Sequence, residues 1–224
     1  MIFWREWLRR AFRFIFEGPA RLFARWGVSP LVLTLSGLLA SLGSGLLFAL
    51  GDLAGGAWLL LLAGFLDSTD GRVARLRGLE SKRGAFLDSF TDRWADGAVL
   101  AGIAYFTARQ GDWLYLAFSL AALVGSMTVS YAKARAEGLG LECTVGFWER
   151  PERICVLLIG GFVGYAAMKI CVIILAAGAF CTALHRMVFA LGRLSGAGEK
   201  AGRDPSPVEP ITQPKGVRPD ARRD

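Results

Sequence analysis

The chain of 224 residues is short of charge: Asp, Glu, Lys and Arg make up 20 % of it, against 54 % hydrophobic residues. Mean hydropathy is +0.42. That balance excludes an ordinary soluble domain, and 12 % aromatic content excludes a disordered chain. Cysteine is scarce too. Four residues, Cys143, Cys155, Cys171 and Cys181, are too few for a secreted disulfide scaffold. Three of them lie in apolar stretches, where Cys behaves as a small hydrophobe. The N-terminus lacks the uninterrupted apolar core of about 7–15 residues that a signal peptide needs.

What is present is apolar sequence in lengths that suit membrane helices, at about 20 residues each. The expected fold is an all-α integral membrane protein with six transmembrane helices, near 30–50, 54–70, 88–107, 113–133, 150–167 and 169–192. Pro30 and Pro151 suit helix N-termini, where no N–H is lost. Ahead of the spans, residues 1–27 mix arginines with Trp4, Trp7, Phe12, Phe14, Phe16 and Trp26. This is the composition of an amphipathic helix lying in the headgroup zone. The last segment, 194–224, holds five of the eight prolines and almost no large apolar residue, so it is expected to be a disordered cytoplasmic tail. The membrane domain is thereby bounded at 28–193.

Charge placement sets orientation. With both termini in the cytoplasm, all 26 lysines and arginines except Arg109 and Lys169 fall on the inner side. The protein is therefore expected in the cell (inner) membrane as a multi-pass chain. The net charge of +7 is read as contact with lipid headgroups, and no nucleic-acid partner is expected.

One region departs from membrane filler. Asp67 and Asp70 are three apart at the end of the second span, and Asp88 and Asp92 are four apart at the start of the third. These spacings put each pair on one helical face. The spans run antiparallel, so four carboxylates can converge at the cytoplasmic end. Unpaired, they would repel and be costly to desolvate. A divalent cation removes that cost, and oxygen ligands with no His or Cys nearby favour Mg2+ or Mn2+ over Zn2+. Ion pairing to Arg72, Arg75, Arg83 and Arg93 is the alternative. Asp96 continues the ladder one turn deeper and is read as support for the four. Gly71 lets a ligand approach the backbone, and Arg75 suits a phosphate oxygen.

These residues spell Asp67-x-x-Asp70-Gly71-x-x-Ala74-Arg75, then eight residues, then Gly84-x-x-x-Asp88-x-x-x-Asp92. The pattern resembles the signature of the CDP-alcohol phosphotransferases, over residues 28–192. The resemblance implies transfer of a phosphatidyl group from CDP-diacylglycerol to an alcohol, with release of CMP and two divalent ions per site. It implies metal ligation by Asp67, Asp70, Asp88 and Asp92, with Asp92 also the general base. Gly71, Arg75 and Ser81 would hold the nucleotide, with Pro30, Leu31, Val32 and Leu33 at the mouth of the first span.

A second basic cluster, Lys133, Arg135, Arg150 and Arg153, gathers at the cytoplasmic ends of the fourth and fifth spans, and Arg186 lies within the last span beside the only histidine, His185. The segments around Lys133 and Arg150 are similar to the phosphatidylinositol-phosphate synthase branch. On that likeness Lys133, Arg153 and Arg186, with Arg135 and Arg150, would bind the phosphate of a small phosphorylated alcohol, inositol 1-phosphate first. Glycerol 3-phosphate is the alternative acceptor. A divalent-cation transporter is the reading from another class, but the outer halves of the second and third spans are apolar and offer an ion no path. A homodimer is expected from the resemblance and from Gly97, Ala98, Ala101, Gly102 and Gly125, small residues that permit close helix packing.

Overall fold

The computed structural model describes residues 16–201, with side chains through 195. Every regular element among these residues is a helix. Helix α1 covers the described residues 16–25. It is followed by α2 (Pro30–Leu50), α3 (Leu53–Leu76), α4 (Lys82–Arg109), α5 (Trp113–Gly138), α6 (Arg150–Val163) and α7 (Tyr165–Ala201). The expected first 15 residues of the amphipathic segment, and the tail from 202, lie outside the described residues. Helix α7 runs past the boundary drawn at 193.

The six long helices begin close to the expected spans, and the differences have local causes. Helix α3 continues to Leu76 and α4 starts at Lys82, because polar residues can extend a helix beyond a bilayer. Ser81 caps α4 by accepting from Gly84 N at 3.0 Å. Asp52 caps α3 in the same way, accepting from Gly55 N at 2.9 Å. Helix α6 ends at Gly164, whose φ of 114° suits only glycine, so the break comes before the expected one at 168. By length and composition three helices can cross a membrane: α2, α5 and α7 over Tyr165–Ser195. Helices α3 and α4 carry the charged ladder. Helix α6 has 14 residues and is only about 21 Å long at 1.5 Å per residue.

The surface and interior are distributed as in a membrane protein. Leu39, Leu46, Trp58, Tyr105 and Leu184 are more than half exposed, while Ser41, Ser44, Thr107, Ser119, Ser126 and Thr182 are buried. Lipid provides no hydrophobic drive for helix association, so packing depends on close approach. Helices α2 and α4 meet backbone to backbone. A Cβ on Gly102 would sit 2.0 Å from Gly45 O, and one on Gly45 would sit 2.4 Å from Ala98 O. Of the small residues expected to permit close packing, Gly102 meets Gly45, Gly97 faces Met127 and Gly125 faces Ala179 within the chain, while Ala101 is exposed. Around this crossing Phe48, Leu60, Val99, Ile103, Leu157, Val172 and Leu175 form the core.

Two ties fix the ends of the bundle. At one end Arg77 Nη1 donates to Gly27 O (2.9 Å) and Val28 O (2.8 Å), and Ala20 of α1 packs with Leu33 and Val73. At the other end Lys169 Nζ lies 2.6 Å from Asp112 Oδ2, and Tyr165 donates its hydroxyl to the same oxygen. Lys169 also lies over the Tyr115 and Tyr165 rings.

Candidate active site

The C-terminal half of α3 and the N-terminal half of α4 place Asp67, Asp70, Asp88 and Asp92 at the end of the bundle where α2 and α6 begin and α5 ends. Asp67, Asp70 and Asp88 each offer one oxygen, and these lie within 4.8 Å of one another. All donors are carboxylate oxygens, the set a hard divalent cation prefers, so the cluster fits the expected Mg2+ or Mn2+. Asp70 is the buried member. Thr34 Oγ1 donates to its Oδ2 at 2.5 Å, and Gly71 N donates to its Oδ1 at 2.5 Å.

Asp92 stands one turn beyond Asp88, against Arg150. Arg150 Nη1 is 2.7 Å from Asp92 Oδ1 and 2.6 Å from Asp67 Oδ2. Its Nε donates to Asp96 Oδ1 at 3.2 Å, and Arg153 Nη2 donates to Asp96 Oδ2 at 2.7 Å. Asp67, Asp92 and Asp96 thus do have arginine partners, and these come from α6. Arg75 Nε donates to Gly71 O and faces Glu80 at 3.8 Å. Arg93 donates to Ser89 O, one turn back on its own helix.

Two clefts open along α4, the first reaching Asp70 and Asp88 and the second reaching Asp92 and Asp96. The first, about 530 Å3, is lined by Pro30, Leu31 and Thr34 of α2, by Asp70, Gly71 and Arg75 of α3, and by Ser81, Gly84 and Asp88. A Cβ on Gly71 would meet nothing nearer than Arg75 Nη2 at 3.9 Å, so no protein packing demands glycine there. Its bare backbone opens on the cleft. Two expected lining residues are absent from it. Val32 is 54 % exposed on another face, and Leu33 is buried with Ala20 and Val73. Four consecutive helical residues cannot share one face.

The second cleft, about 670 Å3, is lined by Asp92, Arg93, Asp96, Lys133, Glu137, Glu149, Arg150, Arg153 and Arg186, with Phe86 and Phe90 at its side. Four of the five expected basic residues are here. Arg135 is not; it is exposed, two residues round the helix from Lys133. Arg186 is buried, but its first partners are carbonyls: Nε donates to Val145 O (2.9 Å) and Nη1 to Val129 O (2.8 Å), while Nη2 lies 4.0 Å from Glu149. His185 is exposed.

The sequence reading missed Thr34, the pairing of Arg150 with three aspartates, and Arg93 and Glu149 in the second cleft. Thr34 lies one turn after Pro30, a helical spacing that flags a shared face but not a carboxylate on another helix.

Residues 28–192 match the family model for CDP-alcohol phosphatidyltransferase. An archaetidylinositol phosphate synthase of Methanothermobacter thermautotrophicus is 41 % identical over 166 residues, 72 % of this chain and 83 % of that protein. A phosphatidylinositol phosphate synthase of Mycobacterium tuberculosis is 41 % identical over 154 residues, 68 % of this chain and 71 % of that protein. The crystal structure of the M. tuberculosis synthase with CDP-DAG bound superposes with a TM-score of 0.72 at 36 % identity, covering 79 % of this chain and 93 % of that one. The same synthase in complex with manganese and citrate gives 0.72 at 37 % identity, covering 78 % and 88 %.

Proposed function

Because the chain belongs to the CDP-alcohol phosphatidyltransferase family, we propose that it moves the phosphatidyl group of CDP-diacylglycerol onto a hydroxyl of a phosphorylated polyol, inositol 1-phosphate first, and releases CMP. The observation that carries this reading is the opening of two unlike clefts on one ladder of carboxylates, the first at Asp70 and Asp88 and the second at Asp92 and Asp96. One has a bare glycine backbone with Arg75 and Arg83, and the other is lined by five cations, Arg93, Lys133, Arg150, Arg153 and Arg186.

Asp67, Asp70 and Asp88 hold the metal, and Asp92 completes the set. A pair of Mg2+ or Mn2+ ions bound there offsets charge on the attacking and leaving oxygens of an in-line displacement. Gly71 and Arg75 receive the pyrophosphate of the CDP-lipid, and Pro30, Leu31 and Ser81 line the nucleotide side. The oxygen of Ser81 is taken by Gly84 N, which leaves its hydroxyl hydrogen for a ligand. Lys133, Arg153 and Arg186 hold the acceptor's phosphate, joined by Arg150. Asp92 takes the proton of the attacking hydroxyl. The hydroxyl oxygen bonds to the lipid-side phosphorus, and the bond from that phosphorus to CMP breaks.

The same reading places α2–α7 as six spans, with both termini and the clefts on the cytoplasmic side and α1 in the headgroup zone. Assembly as a homodimer rests on the family resemblance and on Ala101, exposed on α4; Gly97, Gly102 and Gly125 pack inside the chain. Ion transport is disfavoured by the packed apolar core below the carboxylates, built by Leu60, Val99, Leu100, Ile103, Leu157 and Leu175. An acceptor panel tests the proposal. CMP release from CDP-diacylglycerol is followed with inositol 1-phosphate, inositol, glycerol 3-phosphate and serine. Inositol 1-phosphate is expected to be used best. Preference for glycerol 3-phosphate would make the chain a phosphatidylglycerol-phosphate synthase, and release with serine but neither phosphate ester would remove the assignment of the basic cleft.

A further inference from the structure

Arg150 lines the second cleft, yet its guanidinium is engaged by carboxylates. It is the first residue of α6, with Glu149 before it and Pro151 after it. From there its side chain reaches between α3 and α4. One nitrogen, Nη1, serves Asp67 (2.6 Å) and Asp92 (2.7 Å) together, and Nε serves Asp96 (3.2 Å). Asp67 is also one of the three carboxylates whose oxygens converge within 4.8 Å. The guanidinium and a divalent ion therefore draw on the same ligands. Two cations at such spacing repel strongly where water is scarce. The contact to Asp96 is different. Asp96 lies outside the converging triad and is held independently by Arg153 Nη2 at 2.7 Å, so it can keep its grip on Nε while Nη1 leaves.

We propose that Arg150 is a built-in counter-cation that competes with the divalent ion for Asp67 and Asp92, and that, once released by the ion, it pivots on Asp96 further into the 670 Å3 cleft it already lines, to complete the anion site there. The inference rests on the aspartates being the metal site. It makes metal loading and acceptor-anion binding mutually supportive, with Arg150 as a positioning residue that couples them. Before loading, Arg150 also offsets part of the negative charge shared by Asp67 and Asp92.

Site-resolved labelling of the purified full-length chain tests this without any variant. Phenylglyoxal modification of Arg150 and Arg153 is followed by peptide mass spectrometry, with and without Mn2+. Labelling of Arg150 is expected to rise several-fold on Mn2+ addition while Arg153 stays constant. Sulfate, as the phosphate stand-in, is expected to protect Arg150 only when Mn2+ is present. Equal or lower labelling of Arg150 with Mn2+, or protection by sulfate in both states, overturns the inference. A second measurement is the Mn2+ affinity of Arg150→Gln beside wild type. It is expected to be on the order of tenfold tighter, a size typical of coupled sites, with Arg150→Lys close to wild type. Unchanged or weaker affinity in Arg150→Gln overturns the competition. If wild type binds no Mn2+ at all, the metal-site reading itself fails, a result distinct from Mn2+ binding that leaves Arg150 unmoved.

Discussion

Thr34 donates its hydroxyl to Asp70 across the α2–α3 interface, with 2.5 Å between Oγ1 and Oδ2. Asp70 is the buried carboxylate of the cluster, and this bond fixes the oxygen that faces away from Gly71. Hydrogen bonds to charged groups contribute about 1.5–3 kcal/mol. Thr34→Val keeps the shape and removes the donor. It is expected to lower the melting temperature and to raise the Mn2+ concentration needed for half-maximal CMP release, with little effect on acceptor KM. Thermal melts and a metal titration check both.

Gly71 separates a folding role from a ligand role. A Cβ there meets open space, and alanine favours helix over glycine by about 1 kcal/mol. Gly71→Ala is therefore expected to melt slightly higher than wild type yet show a raised KM for CDP-diacylglycerol. A variant that gains stability and keeps its KM would remove the glycine from the nucleotide cleft.

Much of this site could be read from residue spacing. The pairs Asp67–Asp70 and Asp88–Asp92 obey helical periodicity, and their convergence follows from two antiparallel helices. Contacts between helices were hidden. Thr34 and Asp70 are 36 residues apart, and Arg150 and Asp96 are 54 apart, with no local pattern to join them. Val32 and Leu33 were misplaced because a consecutive run was treated as one face. The small residues of α4 and α5 could not be sorted by spacing: close packing leaves the same signature inside a chain as between chains. The end of α6 moved because Gly164, rather than loss of hydropathy, sets it.

Arg186 has an architectural role beside the one proposed for it in the basic cleft. Two of its donors hold Val129 O on α5 and Val145 O in the segment before α6. Arg186→Ala is expected to cost about 2–3 kcal/mol of stability, because buried carbonyls lose charged donors, as well as to raise the KM for inositol 1-phosphate. Arg186→Lys should recover part of the stability and less of the KM, since lysine lacks the planar fork. Melts and acceptor kinetics on both variants check the division.

The far end of the bundle has a pH signature. Hydrogen bonds from Lys169 and Tyr165 hold the Asp112 carboxyl below its ordinary value of 3.8. A depressed carboxylate adds stability that is fully present above the unfolded value and lost as pH falls through the folded one. The difference in melting temperature between wild type and Asp112→Asn is therefore expected to be flat from pH 8 down to about 5 and to shrink only below about pH 4. Melts across that range, with a shrinking difference already at neutral pH, would detach Asp112 from Lys169.

The account turns on the carboxylates of α3 and α4 holding divalent ions between the two clefts. Anomalous diffraction at the manganese edge, from crystals of this chain grown with Mn2+, tests it most directly. Peaks are expected among Asp67, Asp70 and Asp88, within coordinating distance of their oxygens and beside Asp92. A map with no peak there, or with manganese bound only elsewhere, would contradict the account.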